Sequence, residues 1–530
     1  MAEFRSTSLE EGVKSLSVSE KLDEKNRLSN KLSSLGSGLR FKSLTSKYAL
    51  KEKSYFDLKP CKVQNDGYEI ACSELFWATA YVGGGGPCYV SRIDNLGRIE
   101  QDCTLINGHS SAVSDIAFSP FHPTLMTTAS VDCTVKLWRL PQDGPLRNLS
   151  ASDAKATLTG FNNSVRSTIF HPTCDHILAC SGLDKAVSFY DLETSNRLCS
   201  FDLNVACKGS AEVPAISNLS FNFDGSAYAL ACKDKCVRIV DPRLPTEGAI
   251  VGQTAADGPL GRNLRVEWCS NGSNACSTLL TVSSSSTGMR SIHLFDPRQL
   301  TAPLCSRTID TAAGQLYPMY DPCLGLCFIA GKGDSTIRAY ELSLQMGEKD
   351  CMALCEKAAE FPAPDRTTCT GICKLPISSC DIRNIECARL LKMTTTAVVP
   401  ISVSLARSES LKQYFQDDIY GPVYSRTTHH SAERFRQWLV APANTVNIEP
   451  SLESLQPSDL PKLSEKPVEA PKASKASSFR AAKEAEEREL REKEEHMARL
   501  TAMANVNASY NKNKSMGDNE VDSDDNWGDD

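Results

Sequence analysis

Cysteine, which can bind metals as a thiolate and undergo redox chemistry, occurs 22 times in this sequence. Zinc and redox motifs usually hold such thiols in CxxC pairs. No CxxC occurs here. The nearest pairs are CxxxC, as at Cys232/Cys236 and Cys323/Cys327, with no His or Cys couple at finger-like spacing. We therefore expect reduced, mostly buried thiols, no metal site and no cofactor.

Loops rich in glycine, serine or histidine do not supply a catalytic set either. Gly83–Gly86 lacks a following Lys-Ser/Thr, and strand residues follow GKGDS at 331–335, so neither is predicted to cradle a phosphate. Ser283–Ser286 is predicted to be a loop between strands, and His429-His430 lies in a polar stretch typical of solvated histidines. Because no Ser/His/Asp or Cys/His set follows from the spacing, we expect that the protein is not an enzyme.

The sequence contains a repeat of about 50 residues, which predicts the arrangement of its strands and turns. Each of its three clear copies has a turn aspartate, at 132, 184 or 234, and then a strand with alternating apolar residues. The three clear copies are SVDCTVKLW (130–138), GLDKAVSFYD (182–191) and CKDKCVRIVD (232–241), and the two weaker copies are GMRSIHLFDPR (288–298) and GKGDSTIRAYE (331–341). This period is typical of propeller blades.

The repeats resemble WD repeats, in which a His, a Ser/Thr, the turn Asp and a Trp hydrogen-bond within one blade. The residues of the first repeat that fit these places are His109, Ser130, Asp132 and Trp138. The second repeat has Phe161 in place of the His and Tyr190 in place of the Trp, so its network is expected to be incomplete.

Two further segments, 68–93 and 371–405, have apolar runs that fit divergent blades. Five recognisable blades and these two give an all-β, seven-bladed WD-repeat β-propeller. Closing a propeller removes exposed sheet edges, and residues 39–58 are predicted to supply the closing strand.

Composition excludes several classes of function. Lys+Arg is 58 and Asp+Glu is 65, giving a net charge of −7, which does not favour nucleic-acid binding. No apolar run is long enough to span a membrane, and the first residues have no apolar signal-peptide core. We therefore expect a cytoplasmic protein.

Several strings resemble the coronins, a family of actin-cytoskeleton propeller proteins. They are CKDKCVRIVDPR, YDPCLGLCFIAGKGDSTIRAYE, ECARLLKM and YFQDDIYGP, and the resemblance runs from about Arg40 to about Trp438. The family's basic-aromatic motif before the first blade matches Arg40-Phe41-Lys42, and its Tyr/Phe-Asp-Leu-basic stretch matches 56–59. The single propeller and acidic end resemble the C-terminal part of the long, tandem-propeller coronins.

The resemblance assigns the basic residues near the first blade to actin filaments, which are acidic. Residues 1–55 carry 11 basic and 7 acidic residues. The predicted actin or partner contacts are Arg40, Phe41, Lys42, Lys59 and Lys62. At Lys59 the family usually has Arg, so the charge is kept but the planar fork is lost. A solvated flexible arm is the alternative interpretation.

The C-terminus ends in an acidic run that contains one tryptophan. It is similar to the acidic-Trp tails of proteins that activate the Arp actin-nucleating complex. The predicted partner contacts there are Asp522, Asp524, Asp525, Trp527, Asp529 and Asp530, after a connector stripe of Met497, Leu500 and Met503. A solubilising tail with an incidental Trp is the alternative.

The predicted domains are a flexible basic arm (1–38), the propeller (39–405), an extension packed on it (406–450), a Pro/Ser/Lys linker (451–477), a charged helix (478–504) and a disordered acidic tail (505–530). Without sustained heptads in the helix we expect a monomer. The resemblance implies a non-enzymatic cytoskeletal scaffold. Its propeller and basic arm would contact actin filaments or a partner, and its tail would bind the Arp complex or a related regulator. The alternative is a Golgi or endosomal membrane-traffic adaptor that binds coat proteins without direct actin contact.

Overall fold

The computed structural model of the protein describes residues 39–61, 67–207, 213–270, 277–346, 351–441, 445–465 and 487–501. The chain divides into two compact units, Met1–Ser464 and Glu465–Asp530. In the second unit, residues 487–501 form a helix. The predicted N-terminal arm and the predicted acidic tail both lie outside the described residues. No helix in these described ranges is long and apolar enough to cross a membrane.

The first unit consists mainly of strands. Along the first half of the chain these are β1 (Leu44–Tyr48), β2 (Tyr55–Phe56), β3 (Ile70–Cys72), β4 (Phe76–Ala80), β5 (Cys88–Arg92), β6 (Gly97–Arg98), β7 (Leu105–Asn107), β8 (Val113–Phe118), β9 (Leu125–Ser130), β10 (Val135–Arg139), β11 (Leu149–Ser150), β12 (Ala156–Leu158), β13 (Val165–Phe170), β14 (Ile177–Gly182), β15 (Ala186–Asp191), β16 (Asn196–Asp202), β17 (Ile216–Phe221), β18 (Tyr228–Cys232), β19 (Val237–Val240) and β20 (Ile250–Gln253). They are followed by β21 (Arg262–Ser270), β22 (Ser277–Ser284), β23 (Met289–Phe295), β24 (Cys305–Thr311), β25 (Leu316–Asp321), β26 (Leu326–Gly331), β27 (Thr336–Met346), β28 (Cys351–Pro362), β29 (Gly371–Lys374), β30 (Glu386–Met393), β31 (Ala397–Leu405), β32 (Val423–Tyr424) and β33 (Leu452–Glu453).

The described helices of the first unit are few and short. The α-helices with described bounds are α1 (Leu203–Ala206), α2 (Glu409–Lys412) and α3 (Ala432–Val440). The 3-10 turns are Lys51–Lys53, Ala151–Asp153, Thr246–Gly248, Ile377–Ser379, Ile382–Asn384 and Leu463–Glu465.

Seven sheets of four to six strands form the blades, which confirms the predicted seven-bladed propeller. The first blade has the order β11-β7-β5-β4-β3 and the second β12-β10-β9-β8. Blades three to six are meanders of β13–β16, β17–β20, β21–β24 and β25–β28. The seventh contains β29-β30-β31 with β1, β2 and β6.

The middle strands of the blades are buried on both faces because each blade packs between two others. In β9 all six residues are buried, and the same is true of β14 and β26. Their residues are apolar, small or hydroxylated, with no Asp, Glu, Lys or Arg. This composition explains why these strands are short nonpolar runs between polar turns.

The ring closes through residues from opposite ends of the propeller sequence. Strand β1 pairs antiparallel with β31, from Leu44 opposite Leu405 to Tyr48 opposite Ile401. Strand β2 extends this pairing, with Tyr55 opposite Val398. The segment predicted to close the propeller therefore does so by completing the seventh blade.

An extension after β31 runs over one face of the propeller, where β8 turns into β9 and β13 into β14. Tyr420 donates through its hydroxyl to the Glu386 carbonyl in blade seven, and Tyr424 donates to the Phe223 carbonyl in blade four. Helix α3 then buries Phe435 against blade three, with its ring 4.9 Å from that of His171. An open cavity of about 730 Å³ lies between the extension and this face.

The packed extension continues past residue 450, where the sequence predicted a linker. Strand β33 pairs with β32, and Phe415 forms a bridge with Lys462. Ser464 also donates through its backbone N–H to Asp417 at 3.1 Å. The first part of the predicted linker thus belongs to the propeller unit, because Leu455 and Leu460 pack against its core.

Candidate partner-binding surface and buried polar clusters

The basic segment before the first blade begins with two residues that anchor it. The Arg40 guanidinium donates to Glu341 Oε1 at 3.0 Å and to the Leu324 carbonyl at 2.9 Å. It also lies 5.2 Å from the ring of Phe41, whose side chain is completely buried in the core. Arg40 and Phe41 therefore fix the segment to blade six.

Lys42 and Lys59 are exposed, and neither forms an ion pair with the residues that the structure describes. Lys59 follows Leu58, which is buried, and Asp57, which pairs with Arg98 at 2.6 Å. Lys62 lies outside the described residues. Among the predicted basic contacts that are described, Lys42 and Lys59 are thus the ones whose charges are available to a partner.

The structure places these basic residues at opposite faces of the propeller. Arg40 contacts Leu324 in the turn between β25 and β26, on the face that the extension crosses. The Lys59 carbonyl accepts from the Val82 N–H in the turn between β4 and β5, and such turns lie at the other face. In an antiparallel meander, consecutive turns alternate between the two faces. Arg40 and Lys59 therefore do not form one compact site.

Blade two contains a buried polar chain that joins its turn to its strands. Trp138 Nε1 donates to Thr128 Oγ1 at 2.9 Å, and Thr128 Oγ1 lies 2.8 Å from His109 Nε2. His109 Nδ1 lies 2.9 Å from Asp132 Oδ2. Burial lowers the pKa of His109 and outweighs the opposing effect of Asp132. A neutral His109 that donates from Nδ1 and accepts at Nε2 satisfies every group in this chain.

The hydroxyl in this chain belongs to Thr128, which corrects the prediction of Ser130. The Ser130 hydroxyl instead donates to the carbonyls of Ser111 and Ala112, at 3.1 and 3.0 Å. The reason is the strand pairing. Thr128 lies opposite Lys136 in the β9–β10 pairing, and Lys136 is only two residues before Trp138 in β10. The sequence pattern alone does not decide which of the two hydroxyls joins the chain, because Thr128 and Ser130 both lie in β9.

The central channel contains charged residues that sequence reasoning did not identify. Its cavity of about 470 Å³ is lined by the innermost strands. The Arg265 guanidinium lies 4.7 Å from the Tyr68 ring and 4.9 Å from the Tyr317 ring. Enclosure by protein raises the pKa of Asp115 and of Glu267 to about 7. Inner strands bring these residues together from distant positions, so their spacing in the sequence gives no signal.

A second cluster joins blades two and three to the extension. His122 Nε2 lies 2.7 Å from Asp175 Oδ2, His176 Nδ1 lies 2.8 Å from the same oxygen, and His429 Nε2 lies 4.0 Å from it. Burial raises the pKa of Asp175, but hydrogen bonds from His176 and His122 outweigh it and lower that pKa to about 2. His429, predicted to be solvated, is three-quarters buried here. Among the described residues, His122, Asp175 and His429 are the group that could hold a metal ion.

The predicted contacts near the C-terminus are described only in part. Met497 and Leu500 are 62% and 48% exposed on the helix of residues 487–501, and thus remain available to a partner. Met503 and the tail residues from Asp522 to Asp530, with Trp527, lie outside the described residues.

Comparison with family models and known proteins identifies relatives of the propeller. The "WD domain, G-beta repeat" family matches residues 101–139 and 152–191, which form most of blades two and three. Dictyostelium discoideum Coronin-A is 30% identical over 432 residues, covering 80% of this chain and 88% of the relative. Human Coronin-2A is 28% identical, covering 81% of this chain and 77% of the relative.

Human Coronin-7 is 31% identical over 77% of this chain, but the match spans only 40% of that relative's length. Among solved structures, the WD40 domain of Toxoplasma gondii coronin superposes with a TM-score of 0.66 at 24% identity. It covers 79% of this chain and 98% of that domain, and it supports the same fold.

Proposed function

Because the chain belongs to the coronin family, we propose that it is a non-enzymatic scaffold of the actin cytoskeleton in the cytoplasm. The proposal is that the propeller contacts actin filaments and that the C-terminal region recruits a second partner. The observation that carries it is the charge of Lys59, which is exposed and forms no ion pair with any described residue, on the face opposite the described part of the extension. Complementary charge of this kind raises the association rate with an acidic filament.

The two faces differ in what they offer a filament. Near Lys42 the extension already covers the propeller, and Arg40 is engaged with Glu341. Near Lys59 the described residues of the extension (406–441 and 445–465) do not cover the turns of the blades. We therefore assign the filament contact to the Lys59 face, and Arg40 and Phe41 to holding the N-terminal segment in place.

Filament co-sedimentation of the full chain with single charge reversals tests this assignment. Lys59→Glu is expected to reduce pelleting several-fold, Lys42→Glu to reduce it less, and Lys155→Glu to leave it unchanged. Lys155 is a matched control because it is also exposed but lies beside blade two. Equal pelleting of all three variants and the wild type would remove Lys59 from the filament contact.

We also propose that the acidic tail with Trp527 binds the Arp actin-nucleating complex or a related regulator. A charged run with one large amphipathic side chain suits a basic groove with a single apolar pocket. The linker would hold this tail at high local concentration near the filament. Chains ending at residue 477 should still pellet with actin but should no longer retain the Arp complex in a pull-down, and Trp527→Ala should weaken retention.

The rival proposal is a Golgi or endosomal membrane-traffic adaptor. It gains support if neither the full chain nor the chain ending at residue 477 pellets with filaments. If only the full chain pellets, the filament contact belongs to the region after residue 477. Retention of the Arp complex by the shortened chain would contradict the tail assignment.

A further inference from the structure

Three chain segments that are far apart in sequence bring nitrogen and oxygen ligands to one point. His122 lies between β8 and β9 of blade two, Asp175 lies between β13 and β14 of blade three, and His429 lies in the extension. Their ligand atoms all fall within 4.8 Å of one another. Imidazole with a carboxylate is a donor set that suits zinc and similar divalent metals.

The separations of these atoms fit a metal after small side-chain rotations. Ligands at about 2.0–2.1 Å around a tetrahedral Zn²⁺ lie roughly 3.3 Å from one another. The observed separations of 2.7 Å, from His122 to Asp175, and 4.0 Å, from His429 to Asp175, fall on either side of that value. The histidine side chains are about one-third and one-quarter exposed, so an ion can reach them from solvent.

The carboxylate at the centre is already held by its own supporting bonds. Asp175 Oδ1 accepts from the backbone N–H of His176 at 2.7 Å, and the His176 ring contacts Oδ2. The Asp175 N–H donates to the His430 carbonyl at 2.8 Å, which fixes the neighbour of His429. Outer bonds of this kind orient metal ligands and are a usual part of metal sites.

We infer that His122, Asp175 and His429 form a binding site for one divalent transition-metal ion of the Zn²⁺ type, with solvent in the fourth position. The ion would join blade two, blade three and the extension. It would therefore act as a clamp that holds the extension on the propeller face.

The test uses the full chain, stripped with a chelator and titrated calorimetrically with ZnCl₂. The wild type is expected to bind one equivalent that His122→Asn/His429→Asn loses. At a hundredfold excess of free metal over Kd, the melting temperature of the wild type should rise by roughly 3 °C, and that of the double variant should not. His496→Gln is the matched control, since His496 is exposed on the helix of residues 487–501, and it should behave as the wild type.

The cysteines are unchanged in every variant, so thiol binding contributes equally to all titrations. X-ray absorption of the wild type loaded with one equivalent of zinc should show mainly nitrogen and oxygen ligands, a result that does not depend on the folding of a variant. The inference fails if the wild type binds no ion, if the folded double variant keeps the same equivalent, or if sulfur ligands dominate the spectrum. In those cases the cluster is a hydrogen-bonded contact alone.

Discussion

Blades two and three follow one another in the chain and match the same repeat family, but different chemistry links their turns to their strands. In blade two, Trp138, Thr128, His109 and Asp132 form a continuous polar chain. At the equivalent places blade three has Tyr190, Cys180, Phe161 and Asp184. Of the four positions, only the turn aspartate is the same in both blades.

In blade three, ring packing and single hydrogen bonds replace that polar chain. The rings of Phe161 and Tyr190 lie 5.4 Å apart, and the Tyr190 hydroxyl donates to the Thr159 carbonyl at 2.8 Å. Cys180 is buried opposite Ser188, as Thr128 is opposite Lys136. Blades two and three thus share the turn aspartate and the buried middle strands, whereas the buried polar chain is an addition in blade two whose members depend on one another.

The largest effect should come from removing the indole of blade two. Trp138→Ala should lower the free energy of unfolding by about 3–5 kcal/mol, because a fully buried aromatic ring is lost and Thr128 loses its donor. Urea unfolding followed by circular dichroism measures this change. A loss below about 1 kcal/mol would show that blade two does not depend on its polar chain.

The second largest effect should come from removing the hydroxyl of Thr128, which joins Trp138 to His109 in the polar chain of blade two. Thr128→Val keeps the shape of the side chain but leaves Trp138 Nε1 and His109 Nε2 without their partner, so we expect a loss of about 2–3 kcal/mol. Cys180→Val at the equivalent place in blade three should change stability by less than about 1.5 kcal/mol. Equal losses at both positions would contradict the contrast between the blades.

Much of this contrast and most of the fold could be predicted from the sequence. The turn aspartates and the replacements at Phe161 and Tyr190 are local signals, and they indicated the blades and the incomplete network. The closing strand was also predictable, because a ring needs a partner for the edge of β31. These features depend on short-range patterns that the chain repeats.

Features that depend on which turns meet in space could not be predicted in this way. The placement of Arg40 and Lys59 on opposite faces follows from the register of β1 and β2 with β31. The cluster around Asp175 draws on three separate segments, and His429 alone resembles a solvated surface residue. The choice of Thr128 over Ser130 depends on strand pairing, which the repeat pattern does not specify.

The third prediction concerns the pH dependence of stability, to which His109 of blade two contributes and Phe161 at the equivalent place in blade three does not. Since burial lowers the folded-state pKa of His109 below its ordinary value of about 6.5, the unfolded chain binds a proton first as pH falls. Stability from this group is therefore complete above about pH 6.5 and is lost as pH falls towards the lowered pKa. His109→Phe, which copies blade three, should reduce the pH slope of stability between pH 7 and pH 5, by at most about 1.4 kcal/mol per pH unit.

Urea midpoints at several pH values measure this slope. An unaltered slope in His109→Phe would mean that His109 titrates alike in the folded and unfolded chain.

The smallest effect is expected in blade three itself. Tyr190→Phe removes one hydrogen bond, to the Thr159 carbonyl, and keeps the ring contact with Phe161, so the free energy of unfolding should fall by about 0.5–1.5 kcal/mol. The same urea experiment measures it. Because the Tyr190 hydroxyl has no further hydrogen-bond partner in the part of the chain that the structure describes, its effect should add to that of Thr128→Val in the double variant. A loss as large as that of Thr128→Val, or strong non-additivity, would show that the two blades share one network and that their different residues conceal a common mechanism.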